Sequence, residues 1–265
     1  MEGKGGRTPS TMATVDVAVE NEENDYSKDG LDLVNTDPML EQHKGHLQYR
    51  WEKFREVKKA IENASGSLSE FADGYKEYGF SKKKDGTIVY KEWMPACNHA
   101  ALVGDFNGWN GEATPMQRDA FGNWTCELPA GTIPHDSRVK VRLFKDGGHV
   151  DRIPAYIRYA RVPPNEMGAK YDGIYWDPPK EKQHEWKFKK GPKKPSAPII
   201  YEAHVGMSSN DSKVSTYREF ADTVLPRIKG GGYNSVQLMA VMEHAYYGSF
   251  GYHVTNFFGV SSRSG

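Results

Sequence analysis

Cysteine is nearly absent from this chain of 265 residues, which has only Cys97 and Cys126, in two different candidate strands. Two thiols make no disulfide framework, and no metal-ligand spacing surrounds them. A reducing compartment is expected, and no metal or cofactor. Long apolar runs are also missing. None approaches the ~20 residues that span a bilayer, so no membrane-crossing helix is expected. Charge of one sign does not dominate either, since Lys+Arg and Asp+Glu both total 35. Without a net field, neither nucleic acid nor a membrane is an expected partner. The local runs Lys82-Lys83-Lys84 and Lys187 to Lys194 adjoin Gly, Pro or aromatic residues and read as solvated loops.

Flat side chains are plentiful. Aromatic residues make up 12% of the chain, with 6 Trp and 15 Tyr. A sugar ring has apolar C–H faces and polar edges, so it stacks on indole or phenol while its hydroxyls bond to neighbouring polar groups. The same rings also build cores and satisfy their N–H or O–H locally, and composition does not separate the two uses.

The pattern along the chain divides it into five parts. Residues 1–33 are polar and acidic with little to bury, and read as a disordered tail. Residues 34–80 read as a helical arm. Asn35-Thr36-Asp37-Pro38 is a helix start, with a capping side chain and then proline at the first helical position. Leu47, Trp51, Phe54, Val57 and Ile61 follow at three- and four-residue spacing, an apolar stripe expected to pack on what comes next. Ser67-Leu68-Ser69-Glu70 is a capping box that opens a short helix stopped by Gly74.

Residues 81–179 read as a small antiparallel β-sandwich. The strand-like runs are Thr87 to Trp93, Ala100 to Val103, Trp124 to Leu128 and Val139 to Phe144, separated by the turn clusters Asp85-Gly86, Asp105 to Gly111, Phe121 to Asn123 and Asp146 to Gly148. Asp105, Asn107 and the two glycines give a tight turn with Trp109 on its far side, pushed toward solvent or else folded back as a lid on the core. Residues 180–198, rich in Lys and Pro, read as a linker. In residues 199–265 the strand Ile199 to Val205 precedes a helix with Phe220, Val224, Leu225 and Ile228 on one face. That helix stops at Gly230-Gly231-Gly232, before the strand Ser235 to Met239. This is a βαβ unit with parallel strands. One such unit leaves its sheet uncovered, and the chain is expected to be cut off from a longer one.

Three stretches together carry a resemblance. Lys91-Glu92-Trp93-Met94-Pro95 with Gly104-Asp105-Phe106-Asn107-Gly108-Trp109-Asn110 resembles the carbohydrate-binding module (family 48, Ig-like sandwich) of branching and debranching enzymes. Ile200 to Gly206 is similar to the first barrel strand of those enzymes. Val224 to Lys229 and the run Gln237 to Tyr252 resemble the eukaryotic and plant-type 1,4-alpha-glucan branching enzymes of the α-amylase superfamily. The resemblance covers nearly everything from Asp37 onward.

It implies an incomplete (β/α)8 barrel after the sandwich. It also implies α-1,4-glucan (amylose, amylopectin or glycogen) as partner. Positions matching Trp93, Met94, Pro95 and Trp109 line a glucan groove in the family. Tyr252 matches the tyrosine that stacks on the sugar at the scissile bond, and Glu243 and His244 match positions near that site, as part of an active-site loop. Two departures stand out: Asn63-Ala64-Ser65-Gly66 replaces an acidic segment of the arm, and Gly231 a bulky residue in the helix-ending turn. The resemblance leaves the cytoplasm and the plastid as compartments; transit peptides are poor in acidic residues, so the cytoplasm is the expectation.

The family reaction cleaves an α-1,4 bond with retention and transfers the chain to a 6-hydroxyl, making an α-1,6 branch. Retention needs two carboxyls about 5–5.5 Å apart across the bond, and in this fold they come from later barrel strands. Glu202 and Glu243 match neither, so no catalytic residue is assigned and glucan binding is the activity expected of these residues. The alternatives are a non-catalytic glucan-binding regulator and a debranching enzyme, the latter disfavoured by the Gln237 to Tyr252 run.

Overall fold

The computed structural model describes residues 29, 31–161 and 171–265. Most of the predicted tail lies outside them, but its last two residues already belong to helix α1 (Asp32–Thr36). The chain divides into two compact units, Met1–Gly74 and Tyr75–Gly265.

In the first unit, the Asp37 carboxylate accepts the Met39 N–H at 3.0 Å and caps a 3-10 turn, Pro38–His43. This is the helix start read from the sequence. Helix α2 (Lys44–Ser65) follows and buries none of its residues. Within the predicted stripe, Leu47, Trp51 and Ile61 are half-buried, while Phe54 and Val57 are exposed. Trp51 and Phe54 stack on each other at 5.4 Å. Gly66, at φ 85°, ends the helix and returns its N–H to the Glu62 carbonyl, a positive φ that glycine adopts without a Cβ penalty. Ser67 accepts the Glu70 N–H at 3.0 Å to open α3 (Leu68–Ala72). Gly74 does not stop the chain there; it continues as a 3-10 turn, Asp73–Glu77.

The second unit begins with the sandwich. Its strands are β1 (Gly79–Lys82), β2 (Ile88–Trp93), β3 (His99–Gly104), β4 (Gln117–Arg118), β5 (Asn123–Leu128), β6 (Ser137–Lys145), β7 (Gly148–Arg152), β8 (Ala160–Arg161) and β9 (Asp172–Tyr175). One sheet has the order β1-β2-β5-β4, the other β3-β6-β9-β8 with β7 added on β6. The pleat decides which side chains enter. Ile88 and Tyr90 of β2 turn inward, as do Val139 and Val141 of β6, and they meet Leu102, Trp124 and Tyr175 in one core. Arg138, Lys140 and Arg142 alternate with them on the outer face of β6, as period two requires.

Glu92 breaks the apolar pattern. It is buried, and its Oε2 accepts the Tyr90 hydroxyl at 2.7 Å and the Ala155 N–H at 2.9 Å. Ala155 follows β7 of the other sheet, so this carboxyl ties the sheets together. Burial pushes its pKa up, against the two hydrogen bonds that pull it down. Of the cysteines, Cys126 lies in β5 as expected, but Cys97 sits in the turn between β2 and β3. Both are free and buried, and burial pushes the Cys126 thiol up to about 12.

After an irregular stretch with one 3-10 turn, Lys180–Lys182, β10 (Ile200–His204) pairs in parallel with β11 (Ser235–Met239). Between them run α4 (Tyr217–Glu219), a π turn (Phe220–Val224) and α5 (Leu225–Gly230). The π turn precedes Pro226, which has no N–H for the helical ladder. Phe220 and Ile228 join Ala203 and Val205 in a second, small core, whereas Leu225 stays exposed. Gly232, at φ 89°, turns the chain into β11.

The last two strands, β12 (Met242–His244) and β13 (Val254–Val260), form an antiparallel hairpin that the sequence reading treated as an active-site loop. Phe258 of β13 stacks on Tyr156 at 4.6 Å, and the Tyr171 hydroxyl donates to the His244 carbonyl at 3.2 Å. The hairpin thus supplies an aromatic face and a polar staple to the sandwich within the unit Tyr75–Gly265.

Two measurements check this packing. A Cβ on Gly104 would lie 2.2 Å from the Arg138 carbonyl oxygen, so Gly104→Ala should cost about 1–3 kcal/mol or more in urea unfolding. For Glu92, a pKa raised in the folded state means that stability falls as pH rises past the unfolded carboxylate value of about 4.3. Glu92→Gln keeps the acceptor and removes the charge. Its unfolding free energy relative to wild type should therefore improve steadily with pH through that window; a constant difference would refute the assignment.

Candidate functional site

Strand alternation sends Tyr90 and Glu92 inward, so Trp93 at the end of β2 faces solvent and is 59% exposed. The next residue turns in again. Met94 is only 8% exposed and its side chain sits in the core. Its backbone is gripped from both sides: its N–H donates to the Gly122 carbonyl at 2.9 Å and its carbonyl accepts the Trp124 indole N–H at 2.9 Å. Pro95 returns to the surface, and its carbonyl accepts Nη2 of Arg118 at 3.3 Å.

A turn from Asp119 to Asn123 lies directly against this segment. The Asp119 carboxylate accepts the Asn123 side-chain amide at 2.7 Å and the backbone N–H groups of Asn123 and Phe121 at 2.9 and 2.8 Å. These bonds hold its carboxyl below the usual range, the Asn123 side chain contributing most. Gly122 is required here. Its φ is 85°, and a Cβ would come within 2.9 Å of Pro95 Cα. The turn presents Phe121, 76% exposed, and its carbonyl accepts the Trp93 indole N–H at 3.1 Å. With its one polar atom satisfied, the Trp93 ring is fixed and offers solvent an apolar surface. Asn123 in turn accepts the Tyr78 hydroxyl at 2.7 Å.

Trp93, Pro95, Phe121 and Arg118 thus make one exposed ledge. Sequence reasoning saw residues 121–123 only as a turn. The available signal for Phe121 was a large apolar side chain at a turn position that does not need one.

Trp109 belongs to the other sheet. It is half-buried with φ 62°, and its indole N–H donates to Asp105 at 3.2 Å. Asp105 also takes Arg138 Nη2 at 2.9 Å and the Arg138 backbone N–H at 2.9 Å. Burial raises the Asp105 carboxyl, but the bonds from Arg138 and Trp109 outweigh it, and the net shift is downward. The guanidinium of Arg138 lies 5.5 Å from the Trp109 ring centroid and the Lys140 ammonium 5.9 Å. The indole expected to point at solvent leans instead onto the cations of β6.

Tyr252, Glu243 and His244 separate by burial. Tyr252 is exposed and its hydroxyl touches Sδ of Met239 at 3.3 Å, beside the end of β11. Glu243 is fully buried. Its oxygens accept the N–H groups of His244 at 3.0 Å and Ser262 at 2.7 Å. It fastens the hairpin to the segment after β13 and is closed to substrate. His244 is also buried, with Nδ1 at 3.2 Å from the Met242 carbonyl and no hydrogen-bond partner for Nε2 among the described residues. No hydrogen bond or ring contact among the described residues joins Trp93, Trp109 and Tyr252 into one site. Among those residues there is also no cluster of His, Cys, Asp or Glu able to hold a metal and no helix long and apolar enough to cross a membrane.

Residues 77–157 match the family Carbohydrate-binding module 48 (Isoamylase N-terminal domain). The chain is 53% identical, over 97% of its length, to a 1,4-alpha-glucan-branching enzyme of Solanum tuberosum, of which it covers 29%. It is 51% identical, also over 97%, to 1,4-alpha-glucan-branching enzyme 1, chloroplastic/amyloplastic, of Pisum sativum, covering 30%. The chain therefore spans about a third of the length of these relatives. Among solved structures it resembles the product complex of a multi-modular glycogen-degrading pneumococcal virulence factor, SpuA. That match has a TM-score of 0.56 and 17% identity over 71% of this chain and 23% of the other. The resemblance read from the motifs is thus found along nearly the whole chain, and the sandwich fold with it.

The two sheet tryptophans have opposite structural weight. Trp93→Ala should change stability by no more than about 0.5 kcal/mol, while Trp124→Ala should cost about 3–5 kcal/mol, both read from thermal or urea unfolding.

Proposed function

We propose that this chain is the glucan-gripping front part of a 1,4-alpha-glucan branching enzyme, and that the ledge of Trp93, Pro95 and Phe121 is where α-1,4-glucan lies. The observation that carries the reading is the fixed, solvent-facing indole of Trp93 beside Phe121, with Arg118 at the rim. An α-glucan offers C–H faces to two such rings and hydroxyls to the guanidinium. Met94 acts beneath them as the plug that holds Trp93 outward. Trp109 contributes through the Asp105 turn and the edge of its ring rather than an open face.

In the full reaction, a carboxylate displaces the leaving chain at the anomeric carbon, and a second carboxyl protonates the departing oxygen and then deprotonates the incoming 6-hydroxyl. Glu243, with both oxygens on backbone amides, fills neither role. Tyr252, exposed at the end of β11, is placed to stack on a sugar once the rest of a barrel surrounds it. Glu243 and His244 shape the base of that loop. For the compartment, the pea relative's name supports the plastid alternative to the cytoplasmic expectation, and import of the full chain into isolated chloroplasts separates the two.

The test is retardation of the full chain in native gels containing amylose. Wild type should be slowed, and Trp93→Ala should weaken the apparent affinity by about tenfold, the scale of one lost stacking contact of ~1.4 kcal/mol. Equal retardation of wild type and Trp93→Ala would remove the ledge from the account.

A further inference from the structure

Trp176 ends the sandwich and takes no part in the ledge. A tryptophan placed there to close the core would be buried, yet it is 55% exposed. Its orientation is nonetheless fixed. His135 meets it edge-on with ring centroids 4.5 Å apart, and Tyr159 does the same at 5.3 Å. Both supports are themselves held. Nδ1 of His135 accepts the Asp177 N–H at 3.2 Å, which leaves the ring proton on Nε2. The guanidinium of Arg161 lies 5.5 Å from the Tyr159 ring centroid and donates to Asp136 at 2.8 Å.

The surroundings are polar. The Asp136–Arg161 pair stands on one side, and on the other Asp177 binds Lys82 at 2.8 Å. A rigid indole face rimmed by hydrogen-bonding groups has the chemistry that takes the C–H face of a pyranose.

The place of this platform in the sheet follows from the Lys82–Asp177 pair. Lys82 sits opposite Ile88 in the β1–β2 register, at the far end of β2 from Trp93. Ile88 and Trp93 are the two ends of β2, five steps apart along the strand, or about 16 Å at ~3.3 Å per step. Trp176 therefore lies at the opposite end of that strand and contacts none of the ledge residues.

We propose that Trp176, flanked by His135, Tyr159 and the Lys82–Asp177 pair, is a second α-glucan contact, separate from the ledge. It rests on the reading of the chain as a glucan binder. Two contacts on one rigid sandwich favour long chains, which reach both, over short ones, which occupy either alone. The second contact then acts by effective concentration rather than by intrinsic strength.

The experiment uses the full chain labelled with 5-fluorotryptophan, with the Trp93 and Trp176 resonances assigned by Trp93→Phe and Trp176→Phe. Titration with maltoheptaose should shift both resonances. In native gels containing amylose, Trp176→Ala should weaken retardation by about tenfold while leaving calorimetric binding of maltotriose at Trp93 unchanged. Shifts at Trp93 with a static Trp176 resonance would overturn the second contact and leave the ledge standing. No shift at either residue would overturn both.

Discussion

The exposed ledge depends on the backbone of Met94. Bonded to Gly122 on one side and to the Trp124 indole on the other, it cannot slip by one residue. A slip would exchange the two faces of β2, burying Trp93 and exposing Glu92 and Met94. The side chain of Met94 then seals the core below. Trp124, deep in that core, uses its only polar atom to set the register of the edge. The same bond therefore satisfies a buried indole and aims an exposed one.

The acidic residues of the structure serve mostly as fasteners. Glu92 ties one sheet to the loop after β7, Asp105 pins Trp109 to Arg138, Asp119 closes the turn under Phe121, and Glu243 locks the last hairpin. Each spends its oxygens on N–H or O–H donors. A carboxyl so occupied is a poor proton carrier, because any transfer breaks the bonds that hold the fold.

Much of the architecture was legible in the sequence, for local reasons. The capping residues Asp37 and Ser67, the alternation in β2, β5 and β6, and the glycine stop before β11 all act through neighbours a few positions away. What was not legible depends on distant partners. Met94 reads as part of an exposed motif until its bonds to Gly122 and Trp124 are seen. Trp109 reads as solvent-facing until Arg138 and Lys140, some thirty positions later in the chain, come over it. Phe121 looked like turn filler because its role depends on Trp93, in a neighbouring strand. The hairpin of β12 and β13 escaped because its short first strand carries a buried glutamate and histidine, which resemble site residues more than a strand. Its docking through Phe258 and Tyr171 was likewise hidden, since the Lys/Pro-rich segment between them suggested independent bodies.

The central claim is that α-glucan lies on the Trp93 ledge. A crystal structure of the full chain with maltoheptaose tests it most directly. The account predicts a pyranose ring stacked on the Trp93 indole at van der Waals distance, about 4 Å, with Phe121 beside it and the Met94 side chain still in the core. Sugar bound on the sandwich with the Trp93 face bare would contradict it.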